Sequence, residues 1–159
     1  MGTFLEFTKT RNVKSPVRGH ETDAGIDFFI PNDYSQYKEG CWLKPGEDVL
    51  IDSGIKVIVP EGYALIFKEK SGIAVNRKLT VGAAVVDSDY RGVVHFHLFN
   101  NSNETVKAFE PGDKIIQGLV IPVSLCTPKE ISNEDYSSND TKRGEGGFGS
   151  TGTKAWEDL

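Results

Sequence analysis

The chain has 159 residues, a formal net charge of −5 and a hydrophobic content of 38%. This length suits a single domain that buries a substantial core. The acidic balance disfavours nucleic acid and membrane surfaces as partners, because both attract basic patches. No apolar run is long enough to span a bilayer, and residues 1–7 lack the pattern of a signal peptide.

The two cysteines, Cys41 and Cys126, lie far apart and show no Cys-x-x-Cys spacing. This usage predicts reduced thiols, and a single disulfide bond is the alternative. The expected location is therefore the cytosol.

Short β-type runs recur along the chain, with Pro and Gly turns between them. The predicted strands cover residues 4–7, 27–30, 48–52, 55–59, 63–67, 79–86, 93–99 and 114–123. Turns are predicted at residues 44–47, 60–62 and 110–113, and residues 71–78 are the only stretch that favours a helix. This pattern predicts an all-β fold, either an antiparallel sandwich or a barrel.

The first polar cluster is Asp23-Ala-Gly-Ile-Asp27, in which Asp27 opens an apolar strand. A carboxylate at the start of a strand suits a hydrated cation such as Mg²⁺, which keeps several of its waters. A turn-capping aspartate is the alternative.

The second cluster, Lys70, Ser71 and Gly72, comes directly after a strand. Its N–H groups, hydroxyl and ammonium suit phosphate oxygens. A simple turn is the alternative.

The third cluster, residues 82–92, predicts a β-hairpin. Asp87 follows two valines where sheet meets turn, a position that suits a general base acting on water. Tyr90 suits packing against a sugar. A turn with solvated acids is the alternative.

His95 and His97 share one strand face, but no acid or cysteine at suitable spacing completes a metal site, so a surface or interface role is favoured.

The fourth cluster, residues 112–117, ends in Gln117, a polar residue within an apolar run. A buried amide needs partners, so Gln117 is predicted to hold a water or a neighbouring carboxylate. A satisfied core glutamine is the alternative.

A polar stretch, residues 127–142, follows the last predicted strand and spans about 50 Å if extended. That reach is enough to deliver the next segment to another subunit. In the next segment, residues 143–152, five of the nine residues after Arg143 are glycines, which suits close approach of backbone N–H groups to an anion. Arg143, Ser150 and Thr151 add charge and hydroxyls, and Phe148 adds a flat apolar face. These features predict a ligand with phosphate and base, and a flexible tail is the alternative.

Taken together, these clusters resemble the five ordered motifs of the trimeric deoxyuridine triphosphatase (dUTPase) family. The motifs read here as residues 23–27, 70–74, 82–92, 112–117 and 143–152, and the resemblance covers about residues 5–152. It implies a jelly-roll β-barrel subunit and a homotrimer with shared active sites. Each site would take its first, second and fourth motifs from one chain, its third from a neighbour and its fifth from the remaining chain.

The resemblance also implies a role for each site residue. Asp87 would activate a water that attacks the α-phosphate of dUTP, releasing dUMP and pyrophosphate, and Gln117 would position that water. Mg²⁺ would bridge the phosphates and contact Asp27 through water. The implied substrate contacts are Lys70, Ser71, Gly72, Gly82, Ala83, Val86, Tyr90, Arg143, Phe148, Gly149, Ser150 and Thr151.

The same resemblance implies a domain plan: a core over residues 1–126, an arm over 127–142, a nucleotide lid over 143–152 and a tail over 153–159 without an interpretable role. Lys70 and Lys114 stand where the family usually has Arg, Ala84 where it often has Gly, and Gly118 where Leu is usual. A dCTP deaminase of the same fold and a regulatory binding protein are the alternatives. A regulatory partner is not readable from the sequence.

Overall fold

The structure, a computed structural model, describes residues 4–147. Its strands are β1 (Glu6–Lys9), β2 (Ile26–Phe29), β3 (Cys41–Leu43), β4 (Asp48–Ile58), β5 (Tyr63–Glu69), β6 (Leu79–Val81), β7 (Val85–Val86), β8 (Val93–Asn100), β9 (Val106–Phe109) and β10 (Lys114–Pro122). The helices are α1 (Ser71–Arg77), α2 (Asn133–Ser137) and a 3-10 turn at Ser35–Tyr37. The all-β prediction is confirmed. No helix within residues 4–147 is long and apolar enough to cross a membrane.

The strands form two four-stranded sheets, ordered β1-β4-β8-β6 and β2-β10-β5-β7, and a two-stranded sheet of β3 and β9. Neighbours in the sheets are antiparallel and mostly distant in sequence, as a jelly roll requires. The predicted turns at residues 44–47, 60–62 and 110–113 all form, and a backbone hydrogen bond closes each of them.

Three phenylalanines join the two large sheets. Phe28 of β2 and Phe67 of β5 meet edge to face with ring centroids 5.1 Å apart, and Phe96 of β8 lies 5.4 Å from Phe67. All three rings are fully buried. Edge-to-face contacts of this kind stabilise a core beyond the area that they bury.

The predicted strands differ from the observed ones in specific places. The predicted strands at residues 48–52 and 55–59 merge into the single strand β4, which ends at Ile58 and whose pairing with β8 shifts register between Asp52 and Lys56. The short strands β3 and β9 were not predicted, because neither shows a clear alternation of apolar and polar residues.

The predicted hairpin over residues 82–92 is wrong in its pairing. Val81 of β6 pairs with Leu98 in one sheet, whereas Val86 of β7 pairs with Leu65 in the other. Residues 82–84, here called the crossing segment, therefore pass from one sheet to the other. A continuous apolar run hid this change of sheet.

The chain divides into two compact units, one ending at Leu125 and the other beginning at Cys126. The second unit contains α2, so the prediction of a single helix at residues 71–78 is incomplete. The Ser132 hydroxyl accepts a hydrogen bond from the Asp135 N–H (3.1 Å), and Glu134 and Asp135 place negative charge in the first turn. This is a standard helix start, and it is visible in the sequence.

The packing around Gly118 of β10 explains why glycine stands where the family pattern has leucine. A Cβ at this position would lie 2.7 Å from Leu65 Cδ1 and 3.0 Å from Phe28 Cε2. The core side chains of β2 and β5 already fill this space, so a side chain at position 118 would force them to shift.

We expect Gly118→Ala to lower the free energy of unfolding by about 1–3 kcal/mol, the usual cost of overpacking a core. Urea unfolding at one fixed protein concentration measures the change. Gly72→Ala is the control, because its Cβ would meet only Asn76 Nδ2, at 3.9 Å. It should raise stability by about 0.5–1 kcal/mol within α1. Unchanged stability of Gly118→Ala would contradict the packing described.

Candidate active site

The first candidate pocket has a volume of 280 Å³ and lies where β5 ends, α1 begins and β10 passes beside them. We call it the lysine pocket. Its lining residues are Lys70, Ser71, Gly72, Ile73, Lys114 and Gln117. Three of the predicted substrate contacts and one predicted catalytic residue therefore line the same cavity.

A buried carboxylate holds the two lysines of this pocket. Asp27 of β2 is 5% exposed, and its Oδ1 accepts from Lys70 while its Oδ2 lies 3.0 Å from the Lys114 ammonium. Burial acts to raise the pKa of Asp27, but the hydrogen bonds and charges of Lys70 and Lys114 outweigh it and hold that pKa below its ordinary value. Two ammonium groups and one carboxylate leave an excess positive charge, which suits an anion.

Gln117 lies directly opposite Asp27 in the pairing of β10 with β2. Its Nε2 donates to the Glu69 carbonyl at 2.8 Å. Gly25 packs so closely against the amide oxygen that a Cβ there would collide with it. These contacts fix the amide, so the predicted need of Gln117 for partners is met by the backbone rather than by a carboxylate.

Ser71 and Gly72 form the first turn of α1, and both are exposed. Lys70 precedes them in an extended conformation and provides no side-chain cap. The first amides of a helix have no partner within the helix, so those of Ser71 and Gly72 are suitable donors to an anion in the lysine pocket.

The second candidate pocket has a volume of 220 Å³, and we call it the Asp87 pocket. Its lining residues are Ala83, Val85, Val86, Asp87, Tyr90, Val94 and His95. Four of them were predicted from the sequence as site residues. Asp87 itself is exposed, so water can reach its carboxylate.

Tyr90 is held with its ring against the backbone. Its hydroxyl donates to the Val93 carbonyl at 2.9 Å, and a Cβ on Gly92 would collide with the ring. The Tyr90 N–H donates to the Asp87 carbonyl at 3.2 Å, which closes the turn. The ring remains 43% exposed and can therefore pack against a ligand.

Side chains from both sheets hold the backbone on either side of Gly82. Glu69 Oε1 accepts from the Val81 N–H at 2.8 Å, and His97 Nδ1 accepts from the Ala83 N–H at 3.3 Å. Burial acts to raise the pKa of Glu69, but the hydrogen bond from Val81 and the neighbouring Lys68 hold it below its ordinary value. Sequence reasoning assigned no role to Glu69.

The two histidines of β8 were predicted to have a surface or interface role, and His95 is exposed. His95 lines the Asp87 pocket, and His97 contacts the crossing segment. Their shared strand face was readable from the i, i+2 spacing. Their contacts depend on where residues 82–84 cross between the sheets, which no local pattern indicated.

The structure thus places eight predicted residues of the first unit in two pockets. Asp27 contacts the two lysines of the first pocket, and Gly82 precedes Ala83 without lining the second. Arg143 belongs to the second unit, where its Nε donates to the Gly146 carbonyl at 2.8 Å. Phe148, Gly149, Ser150 and Thr151 lie outside the described residues. Within residues 4–147, no group of three or more His, Cys, Asp and Glu side chains is arranged to hold a metal ion.

An all-β fold with a cationic pocket and a carboxylate–tyrosine pocket suits a protein that handles phosphorylated sugars or nucleotides. Residues 11–152 match the dUTPase family model, and the chain belongs to this family. Three relatives are named deoxyuridine 5'-triphosphate nucleotidohydrolase. The Mus musculus protein is 36% identical, covering 95% of this chain and 86% of its own length. The Candida albicans protein is 37% identical, covering 87% of this chain and 81% of its own length. The Oryza sativa subsp. japonica protein is 37% identical, covering 90% of this chain and 77% of its own length.

Solved structures agree on the fold. The dUTPase of Staphylococcus bacteriophage 80alpha with dUpNHpp has a TM-score of 0.77 at 24% identity, covering 94% of this chain and 99% of that one. A mutant dUTPase of S. aureus phage phi11, described with a structural Mg(II) ion, has a TM-score of 0.67 at 22% identity. The match covers 82% of this chain and 97% of that one. The chain has the dUTPase fold.

We expect Asp27→Asn to lower the free energy of unfolding at pH 7 by about 2 kcal/mol, because the lysines lose a charged acceptor. Since the folded pKa of Asp27 is depressed, its contribution is full above the ordinary aspartate pKa of about 4 and is lost as the pH falls through the folded value. Chemical unfolding across this range measures it.

The control is Asp89→Asn, which changes an exposed acid of the turn after Asp87. It should leave stability unchanged at every pH. A deficit in Asp27→Asn that persists in strong acid would contradict the ion-pair explanation.

Proposed function

We propose that the chain is a dUTP diphosphatase that hydrolyses dUTP to dUMP and pyrophosphate. The observation that carries the proposal is that a chain of this family has a cationic pocket and, separately, a pocket with an accessible carboxylate beside an exposed tyrosine ring. Such an enzyme would limit uracil incorporation into DNA and would supply dUMP for dTMP synthesis.

The lysine pocket would take the triphosphate. Lys70 supplies a charge beside the hydroxyl of Ser71 and the N–H groups of Ser71 and Gly72, and Lys114 adds a second cation. Charge-assisted hydrogen bonds to phosphate are about twice as strong as neutral ones. The family pattern adds Arg143, Gly149, Ser150 and Thr151 from the C-terminal segment as further phosphate contacts.

The Asp87 pocket would take the nucleoside. Backbone groups of Gly82, Ala83 and Val86 would read the edge of uracil, and their close approach to the base would exclude a 5-methyl group. The exposed face of Tyr90 would pack beneath the deoxyribose and leave no room for a 2′-hydroxyl. Phe148 would cover the base.

The reaction would be an in-line attack by water. The Asp87 carboxylate would accept a proton from the water as its oxygen bonds to the α-phosphorus, and the bond to the bridging oxygen would break to release pyrophosphate. An exposed carboxylate beside the nucleoside pocket suits this role of general base. Gln117, with its amide fixed by Glu69 and Gly25, would orient the water.

Mg²⁺ is the proposed cofactor, and the residues around Asp27 suit an ion that binds together with the nucleotide. Both oxygens of Asp27 already accept from lysines, so Asp27 suits contact through a metal-bound water rather than direct coordination. Mg²⁺ commonly keeps several waters and takes its other ligands from substrate phosphates. When bound, it would neutralise phosphate charge.

The proposed assembly is a homotrimer with shared sites. Within the first unit, the phosphate-binding residues and the nucleoside-binding residues line different cavities. One nucleotide would then contact the lysine pocket of one chain and the Asp87 pocket of its neighbour. Residues 127–142 would carry the lid, residues 143–152, over the site.

We expect Asp87→Asn to lower turnover of dUTP at least about a hundredfold, since general-base catalysis contributes that much or more. Nucleotide binding should change little, because the amide keeps the shape of the side chain. Pyrophosphate release and equilibrium binding of dUTP measure the two effects. Asp89→Asn, two residues away, should turn over dUTP at the wild-type rate. Unchanged turnover in Asp87→Asn would refute the assigned role.

We expect deletion of residues 143–159 to abolish hydrolysis while leaving a folded trimer, because the deletion removes phosphate contacts and the cover that excludes water. Deletion of residues 153–159 alone should retain activity and serves as the matched control. Pyrophosphate release and sedimentation measure the outcomes. An active protein without residues 143–159, or wild-type protein that sediments as single chains, would count against the shared site.

A further inference from the structure

His97 makes two side-chain hydrogen bonds that the proposed reaction does not use. Its Nδ1 accepts from the Ala83 N–H at 3.3 Å, and its Nε2 lies 2.9 Å from Asp48 Oδ2. Because Nδ1 accepts, the hydrogen of the neutral ring resides on Nε2, which donates to Asp48. The Asp48 carboxylate therefore selects the tautomer that can hold Ala83.

The imidazole ring also occupies the space beside Gly82. A Cβ at Gly82 would collide with the ring, and the Gly82 N–H donates to the His97 carbonyl at 2.9 Å. The ring itself packs on Phe99, with centroids 4.4 Å apart. His97 thus contacts two consecutive residues of the crossing segment, and the second of them, Ala83, lines the Asp87 pocket.

We propose that His97 is a positioning residue for nucleotide binding: its neutral ring, oriented by Asp48, holds the crossing segment in the shape that accepts the base. The inference rests on the proposed function for the identity of the nucleotide. The contact with Ala83 stands on geometry alone and is testable without activity.

The proposed contact fails when His97 gains a proton. Both ring nitrogens of a protonated histidine are donors, so Nδ1–H would face the Ala83 N–H. The charged or titratable groups on the same sheet face are Asp48, Asp52 and Lys56 of β4, His95 of β8 and Glu6 of β1, and the strand β6 presents none. Base binding should therefore weaken as the pH falls.

Two substitutions separate the hydrogen bond from the charge. In His97→Leu the acceptor is lost, and the KM for dUTP at pH 8 should rise by about three- to tenfold, the range for one hydrogen bond, with kcat changed far less. In His97→Asn the side-chain oxygen can replace Nδ1 but cannot titrate. Its KM should stay near the wild-type value at pH 8. At low pH its KM should rise less than the KM of the wild type.

Leu50→Ala is the matched control. Leu50 lies directly opposite His97 in the pairing of β4 with β8 and is 62% exposed, yet it takes no part in the contact with Ala83. This variant should keep the wild-type KM and its pH dependence. An unchanged KM in His97→Leu, or a wild-type rise in KM at low pH in His97→Asn, would overturn the proposal.

Hydrogen–deuterium exchange of the peptide that covers residues 80–86 provides a readout without substrate. Exchange should be faster in His97→Leu than in wild type and close to wild type in His97→Asn at pH 8. Equal exchange in wild type and His97→Leu would overturn the inference, whatever the activity. A wild-type protein that leaves dUTP intact but shows the expected exchange pattern would refute the proposed function and retain the positioning contact.

Discussion

The ion pairs of Asp27 are the interaction on which the chemistry of the lysine pocket depends. Asp27 lies in β2, Lys114 begins β10 and Lys70 follows β5, and these strands are neighbours in one sheet. Burial of an unpaired carboxylate would be costly, and hydrogen bonds from both lysines offset that cost. The lysine side chains remain 27% and 47% exposed, so their charge stays available to an anion.

Lysine at both positions is compatible with this geometry. An arginine would present a planar fork, whereas each lysine offers a compact charge that reaches one oxygen of the same carboxylate. The glycine at position 118 also fits its surroundings, because Leu65 and Phe28 fill the space that a side chain would need. These departures from the family pattern are thus consistent with one another and with an intact core.

The separation of the two pockets supports the proposal of a site shared between chains. One cavity offers cations and a helix start, and the other offers a carboxylate and an aromatic ring. Neither set of groups by itself suits both ends of a nucleoside triphosphate. A site that needs groups from neighbouring chains would couple activity to assembly. The crossing segment, which His97 contacts and which follows the Val81 N–H bound by Glu69, would be the part of each chain that faces its neighbour's substrate.

Local patterns in the sequence were enough to predict the all-β class, the three closed turns, the helix after Glu69 and six of the residues that line the two pockets, because alternation, Pro–Gly turns and polar clusters are short-range signals. The resemblance to the family added Ala83 and Val86. They did not reveal β3 and β9, or the change of sheet within residues 79–86. The pairing of Asp27 with Lys70 and that of His97 with Asp48 join residues more than forty positions apart. Only the tertiary structure decided these contacts, since cross-strand neighbours depend on register and sheet order, which no local stretch of residues encodes.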